Sequence, residues 1–179
     1  MEDRLHRILK SVDEWLRFAE AKNGALIVAN GAIVFGALKA LEAPRALPPW
    51  VLLYVYAATA VISLAGVIAL LSFLPETTLS WLGSTKRPAP EDNLLFYGHA
   101  ASYDPRGYLE ALYERAQLRP TSVSPLEEDY AEQIIVNSRI ALRKFGLFTI
   151  ALWITIVALL TPIVGLPLLL CARAKGGER

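Results

Sequence analysis

Three stretches of sequence without a single charge dictate what this chain can become. Asn23–Leu38 runs for 16 residues, Ala46–Pro75 for 30 and Phe145–Ala172 for 28. A helix needs about 20 apolar residues to cross a hydrocarbon core of roughly 30 Å. The second and third runs meet that length outright. The first meets it by extending through Lys39, whose long stem lets its charge snorkel from a helix end, to Leu41. Composition agrees: 54% of the chain is hydrophobic, 20% is charged and mean hydropathy is +0.38. That is too little polar surface for a soluble domain. The expectation is an all-α membrane protein with three transmembrane helices, an N-terminal amphipathic helix and a small helical cytoplasmic segment.

The same arithmetic removes other classes. Eighteen basic against 17 acidic residues leave a net charge of +1, so no global field recruits nucleic acid. Cys171 is the single cysteine, which excludes an intrachain disulfide and a cysteine-based zinc site. It reads as a small hydrophobe. The first 22 residues carry five basic and five acidic side chains, so they are not a signal peptide. Strictly alternating ten-residue segments are absent, which rules out an outer-membrane barrel.

Along the chain, residues 1–22 place Leu5, Ile8, Leu9, Val12, Trp15, Leu16 and Ala19 on one helical face. This amphipathic cytoplasmic stem is expected to run straight into transmembrane helix 1, residues 23–41, because Gly24 is a tolerable interruption. In that span Ala25, Ala29, Ala32 and Gly36 recur at spacings of four, three and four. Small residues so spaced let backbones approach closely, on the second span or on a neighbouring subunit. Asn30 reads as interhelical glue. Residues 42–49 form a proline-stopped periplasmic connection, and 50–74 are transmembrane helix 2, opened by the interfacial residue type Trp50.

Residues 75–145 are the only sizeable soluble piece, a cytoplasmic sensor segment. It opens with a linker at 83–92, followed by an apolar Leu94-Leu-Phe-Tyr97 that suits a strand or a helix start. Asp104-Pro105 is an N-cap with proline at the first helical position, launching a helix that Arg119-Pro120 should stop. Ser124-Pro-Leu-Glu127 is a capping box. It starts a helix running without interruption through Arg143-Lys144 into transmembrane helix 3, residues 146–171, which Pro162 and Pro167 should kink or fray. Residues 172–179 are a tail.

Basic residues set the orientation. Residues 1–22 hold five, 42–49 hold one and 75–145 hold eight, which places both large polar segments in the cytoplasm. Three spans put the C-terminus outside, against the mild contrary signal of Arg173, Lys175 and Arg179.

Catalysis has little to draw on. The chain has two histidines, His6 and His99, and none of the common nucleophile, zinc or phosphate-loop patterns. No enzyme, metal site or cofactor is expected. No acidic residue lies within a span, so the usual proton relay is missing. A soluble segment of 71 residues buries a marginal core alone, and oligomerisation is the natural remedy.

Trp15 with Ala19-Glu-Ala-Lys22 and the small-rich span, then Asn93-Leu-Leu-Phe-Tyr-Gly-His99, Tyr108-Leu109, and Gln133 leading to Arg139 and Arg143-Lys144, resemble the transmembrane effector family of Pycsar antiphage defence. The likeness covers most of the chain in order. After the tryptophan the family usually reads Ala-Asp-x-Lys-Ala, whereas Glu20 and Asn23 stand here. The resemblance implies a bacterial inner-membrane protein, N-terminus cytoplasmic, functionally linked to a pyrimidine cyclase. Its ligand would be cyclic CMP or cyclic UMP, and its action on membrane lipids would impair membrane integrity during abortive infection, in a homo-oligomer.

Asn93, Tyr97, His99 and Arg106 are the ligand-binding candidates. With Tyr103 they fall within fourteen positions and mix aromatic faces with hydrogen-bond donors. A cyclic pyrimidine mononucleotide needs a π-face for its base and a cation or amide for its phosphate. Arg106 is the phosphate candidate, a planar guanidinium beside the helix N-terminus begun by Asp104-Pro105. The alternative is a constitutive structural or scaffold membrane protein recruiting a cytoplasmic partner, which needs none of these groups.

Overall fold

The computed structural model describes residues 1–42, 48–75, 88–89, 91–118 and 122–176, with side chains through Pro162. Most of the 42–49 connection and of the 83–92 linker, and Arg119-Pro120, lie outside the described residues. So do the end of the 172–179 tail, with Arg179, and the side chains of Pro167, Cys171, Arg173 and Lys175. Every regular element among the described residues is a helix: α1 Glu2–Leu41, α2 Pro49–Leu71, α3 Tyr97–Ala100, α4 Pro105–Arg115 and α5 Pro125–Gly176. Three of them, α1, α2 and α5, are long and apolar enough to cross a membrane. The chain divides into two compact units, Met1–Lys22 with Ser72–Gly146, and Asn23–Leu71 with Leu147–Arg179.

The first unit has its own core. Leu5, Ile8 and Val12 of α1 are buried against Tyr108 and Leu109 of α4 and Ala131, Ile134 and Ile135 of α5. Each large aliphatic side chain so buried contributes about 1.5–3 kcal/mol. At the edge of this core Asn137 Nδ2 donates to Asp13 Oδ1 at 2.7 Å, and Lys144 Nζ to Glu20 Oε1 at 2.9 Å. These polar contacts fix the register of α1 on α5.

Local chemistry sets the helix ends. The capping box of α5 is reciprocal: the Glu127 amide donates to Ser124 Oγ at 3.2 Å and the Ser124 amide to Glu127 Oε2 at 3.2 Å. Tyr113 of α4 adds its hydroxyl to the same carboxylate oxygen at 2.7 Å. At the start of α4, Asp104 accepts from the Gly107 amide at 3.1 Å. The other end of α4 departs from expectation. The helix ends at Arg115, before Arg119-Pro120, in a Schellman turn: Gln117 takes φ 55°, its amide donates to the Glu114 carbonyl, and the Leu118 amide donates to that of Tyr113. The Leu94–Tyr97 stretch forms no strand; it turns through residues 94–96 into the short α3.

In the second unit Leu26 of α1, Ala65 and Ala69 of α2 and Ala151 of α5 form one cluster. Asn30, 2% exposed, lies with its Oδ1 3.1 Å from the Thr155 hydroxyl, joining α1 to α5 as glue. This pair corrects the expected packing of the first span within the chain. Ala25, Ala29, Ala32 and Gly36 are all exposed, and a Cβ on Gly36 would meet nothing within 4 Å. At 100° per residue these positions stand roughly 100–160° round the helix from Asn30. Turning the buried amide inward therefore turns the small residues outward.

Candidate functional site

The turn leading into α3 is pinned by side chains from both directions. Tyr108, fully buried, donates its hydroxyl to the Leu94 carbonyl at 2.6 Å, and burial pushes its phenol well above the usual value. Arg115 Nη1 donates to the Asp92 carbonyl at 3.0 Å. Tyr103 reaches the Ala89 carbonyl at 3.2 Å, and Asp92, 2% exposed, accepts from the Ala89 amide at 2.9 Å. Arg139 of α5 holds the far side through the carbonyls of Ala101 and Tyr103, at 3.1 and 2.9 Å. The loop is thus held rigidly although it has little regular structure of its own.

The four sequence candidates fall into different settings. Asn93 is exposed; its side-chain oxygen accepts from the Leu95 amide at 3.0 Å, and its own amide donates to His99 Nδ1 at 2.8 Å. An Nδ1 that accepts leaves the imidazole proton on Nε2. His99 also stands 3.5 Å from Asp92 Oδ1 and edge-on to Phe96. Asn93 and His99 are therefore brought together, as parts of one turn. Tyr97 is half-buried, stacked on Phe145 at 5.4 Å and tilted against Trp15 at 5.6 Å. Its ring is engaged in an aromatic cluster.

Arg106 stands apart from Asn93. Its side chain is 81% exposed, 3.7 Å from Glu128 Oε1, and it borders a cavity of about 860 Å³ shared with Glu110, Glu114 and Glu128. Three carboxylates oppose a phosphate there. The Asp104 carboxylate already caps α4, so that helix end does not offer the first-turn amide expected of an anion site.

A different cavity has the opposite character. It measures about 540 Å³ and lies between the start of α1, the Asn93–Leu95 turn and the end of α4. Arg4, Arg7 and Arg115 border it, and no acidic residue lines it among the described residues. Ile8, Leu94 and Leu112 supply an apolar wall, and Ser11 and Asn93 supply uncharged polar groups. The Arg4 and Arg7 side chains make no hydrogen bond or ion pair with any described residue, although Glu2, Asp3 and Glu127 border an adjoining cavity with them. These arginines are not among the four sequence candidates. The available signal was a stripe: Arg4, Arg7, Ile8 and Ser11 recur at i, i+3, i+4 and i+7 with basic but no acidic members.

The family model for the Pycsar effector protein domain matches residues 4–171. The chain belongs to this family. It is a multi-pass membrane protein of antiphage defence, linked through its family to cyclic pyrimidine signalling. Searches of curated proteins and of solved structures give no significant match. The matched range begins at Arg4 and ends at Cys171, so it takes in α1 from its first turn, the pinned turn and the third span.

Proposed function

We propose that the protein is a cyclic-pyrimidine-nucleotide-responsive effector of the bacterial inner membrane that impairs membrane integrity during infection. The observation carrying this reading is the match to the Pycsar effector domain over residues 4–171 in a chain with three candidate spans. The protein performs no chemistry of its own. Cyclic CMP or cyclic UMP from a partner cyclase binds the first unit, and a homo-oligomer then makes the membrane leak.

The separate packing of the two units supports a division of labour. The first buries a core of its own from α1, α4 and α5, and the second contains apolar helix segments joined by small residues and by the polar contacts Asn30–Thr155 and Tyr54–Ala158. The basic residues favour a cytoplasmic first unit, on the side where a cytoplasmic cyclase releases product.

The test is purified protein in dye-loaded liposomes of bacterial lipid. Cyclic CMP or cyclic UMP should release the dye, while the linear monophosphates should not. Leakage that is constant whatever nucleotide is added, or absent throughout, would remove the effector reading and favour a scaffold.

A further inference from the structure

We infer that the groove bordered by Arg4, Arg7 and Arg115 is the nucleotide site, and that these arginines hold the cyclic phosphate. The inference rests on the cyclic-nucleotide reading above and gives it a location. A cyclic phosphodiester carries one negative charge on two free oxygens. A guanidinium fork matches that pair with parallel, charge-assisted hydrogen bonds.

Three features favour this groove over the rest of the first unit. Its lining favours an anion: three arginines border about 540 Å³ with no carboxylate in the lining among the described residues. The larger cavity around Arg106 has three glutamates and repels the same ligand. The groove also combines charge with an apolar wall. Ile8, Leu94 and Leu112 offer a surface for one face of a base, while Ser11 and Asn93 lie within the same lining for ribose or base polar atoms. Its volume falls in the usual range of about 300–1,000 Å³ for small-molecule sites.

The third feature is preorganisation. Arg115 is fixed by its bond to the Asp92 carbonyl, and Leu94 by the buried Tyr108 hydroxyl. Binding spends little on ordering that wall. Arg4 and Arg7 lie on the opposite wall, in the first turns of α1, the helix whose later residues 23–41 make the first candidate span. A phosphate gripped from both walls ties the start of α1 to the end of α4.

The experiment is equilibrium binding to the full-length, detergent-solubilised protein, with cyclic CMP, cyclic UMP, cyclic AMP and inorganic phosphate as probes. Arg4→Glu and Arg7→Glu should each weaken cyclic pyrimidine binding by about tenfold or more. Their ligand-free thermal midpoints should stay at the wild-type value, because neither side chain bonds to any described residue. Arg115→Lys keeps the charge but loses the fork, and should weaken binding as well. Wild-type binding retained within about twofold in both glutamate variants overturns the groove while leaving the effector reading intact. Loss of binding in Arg106→Ala alone does the same and moves the phosphate to α4. Arginine-dependent binding of cyclic AMP alone supports the groove and removes the pyrimidine reading. A wild-type protein that binds no cyclic nucleotide overturns both.

Discussion

The Tyr54 hydroxyl of α2 donates at 2.8 Å to the carbonyl of Ala158 in α5, and Ala158 lies four residues before Pro162. Proline has no N–H, so the Ala158 carbonyl has lost the helical donor that position 162 normally supplies. Tyr54 replaces it from the neighbouring helix. Within an apolar span a carbonyl without a donor is costly, and partners of this kind are what make proline tolerable there. The helix accordingly carries through Pro162 as far as Gly176.

The replacement is measurable as a coupling. Tyr54→Phe should destabilise the second unit by about 1 kcal/mol, the usual scale for an interhelical hydrogen bond in a membrane. In a Pro162→Ala background the helix regains its own donor, and Tyr54→Phe should cost less. Unfolding midpoints of the four proteins in mixed detergent give the interaction energy. Equal costs in both backgrounds would show that Tyr54 does not serve the carbonyl freed by proline.

The end of α4 offers a gain in stability. Gln117 adopts φ 55°, a region in which a Cβ costs roughly 1–2 kcal/mol. Gln117→Gly removes that strain but adds freedom to the unfolded chain, so the net expectation is a gain of about 0.5–1 kcal/mol. Thermal unfolding checks it. Gly107→Ala should go the other way, since its Cβ would lie 2.7 Å from Asp104 Oδ1 and displace the cap of α4.

These two helix ends show what the sequence reveals and what it hides. Asp104-Pro105 and Ser124–Glu127 are local codes: a few adjacent residues satisfy the orphan amides of one helix start, so both are legible without tertiary knowledge. The stop at Gln117 is not, because glutamine has no preference for positive φ and only the surrounding chain imposes it. The spans are legible from their length and lack of charge. The rotation of the first span is not, since Asn30 finds Thr155 across 125 positions of sequence. The candidate site divides similarly. Asn93 and His99 are neighbours in sequence and meet, while Arg4 and Arg115 come to one groove only through packing of α1 and α4.

The start of α5 should make stability depend on pH at both ends of the scale. Burial alone would raise the Glu127 carboxyl, but the Tyr113 hydroxyl, the Ser124 amide and the amino terminus together hold it below its ordinary value. A depressed carboxyl contributes stability that is present above the unfolded pKa, near 4.5, and lost as pH falls through the lower folded value. Tyr113 is pushed up to about 12 by burial and by Glu127. Its contribution is complete below the unfolded value of 10.0 and is lost as pH rises toward about 12. Thermal midpoints should therefore fall at both extremes. Glu127→Gln should flatten the acid limb, and Tyr113→Phe the alkaline one. An unchanged acid limb in Glu127→Gln would place the acid sensitivity in other carboxylates.

The last prediction concerns the small-residue face that the first span leaves open. Ala32 and Gly36 are exposed, so the chain itself gives a leucine room at both positions. Ala32→Leu and Gly36→Leu should therefore leave the stability of a single chain unchanged to within about 0.5 kcal/mol. Across a close contact with another copy the same leucines overfill the gap and force the helices apart. The expected outcome is a lower oligomer mass in detergent and weaker nucleotide-triggered dye release, with nucleotide affinity retained. That last readout separates the span from the Arg4–Arg7 groove, whose variants should lose affinity instead. Wild-type mass and wild-type leakage in both leucine variants would assign the face to lipid, and subunit contacts would then have to use α2 or α5.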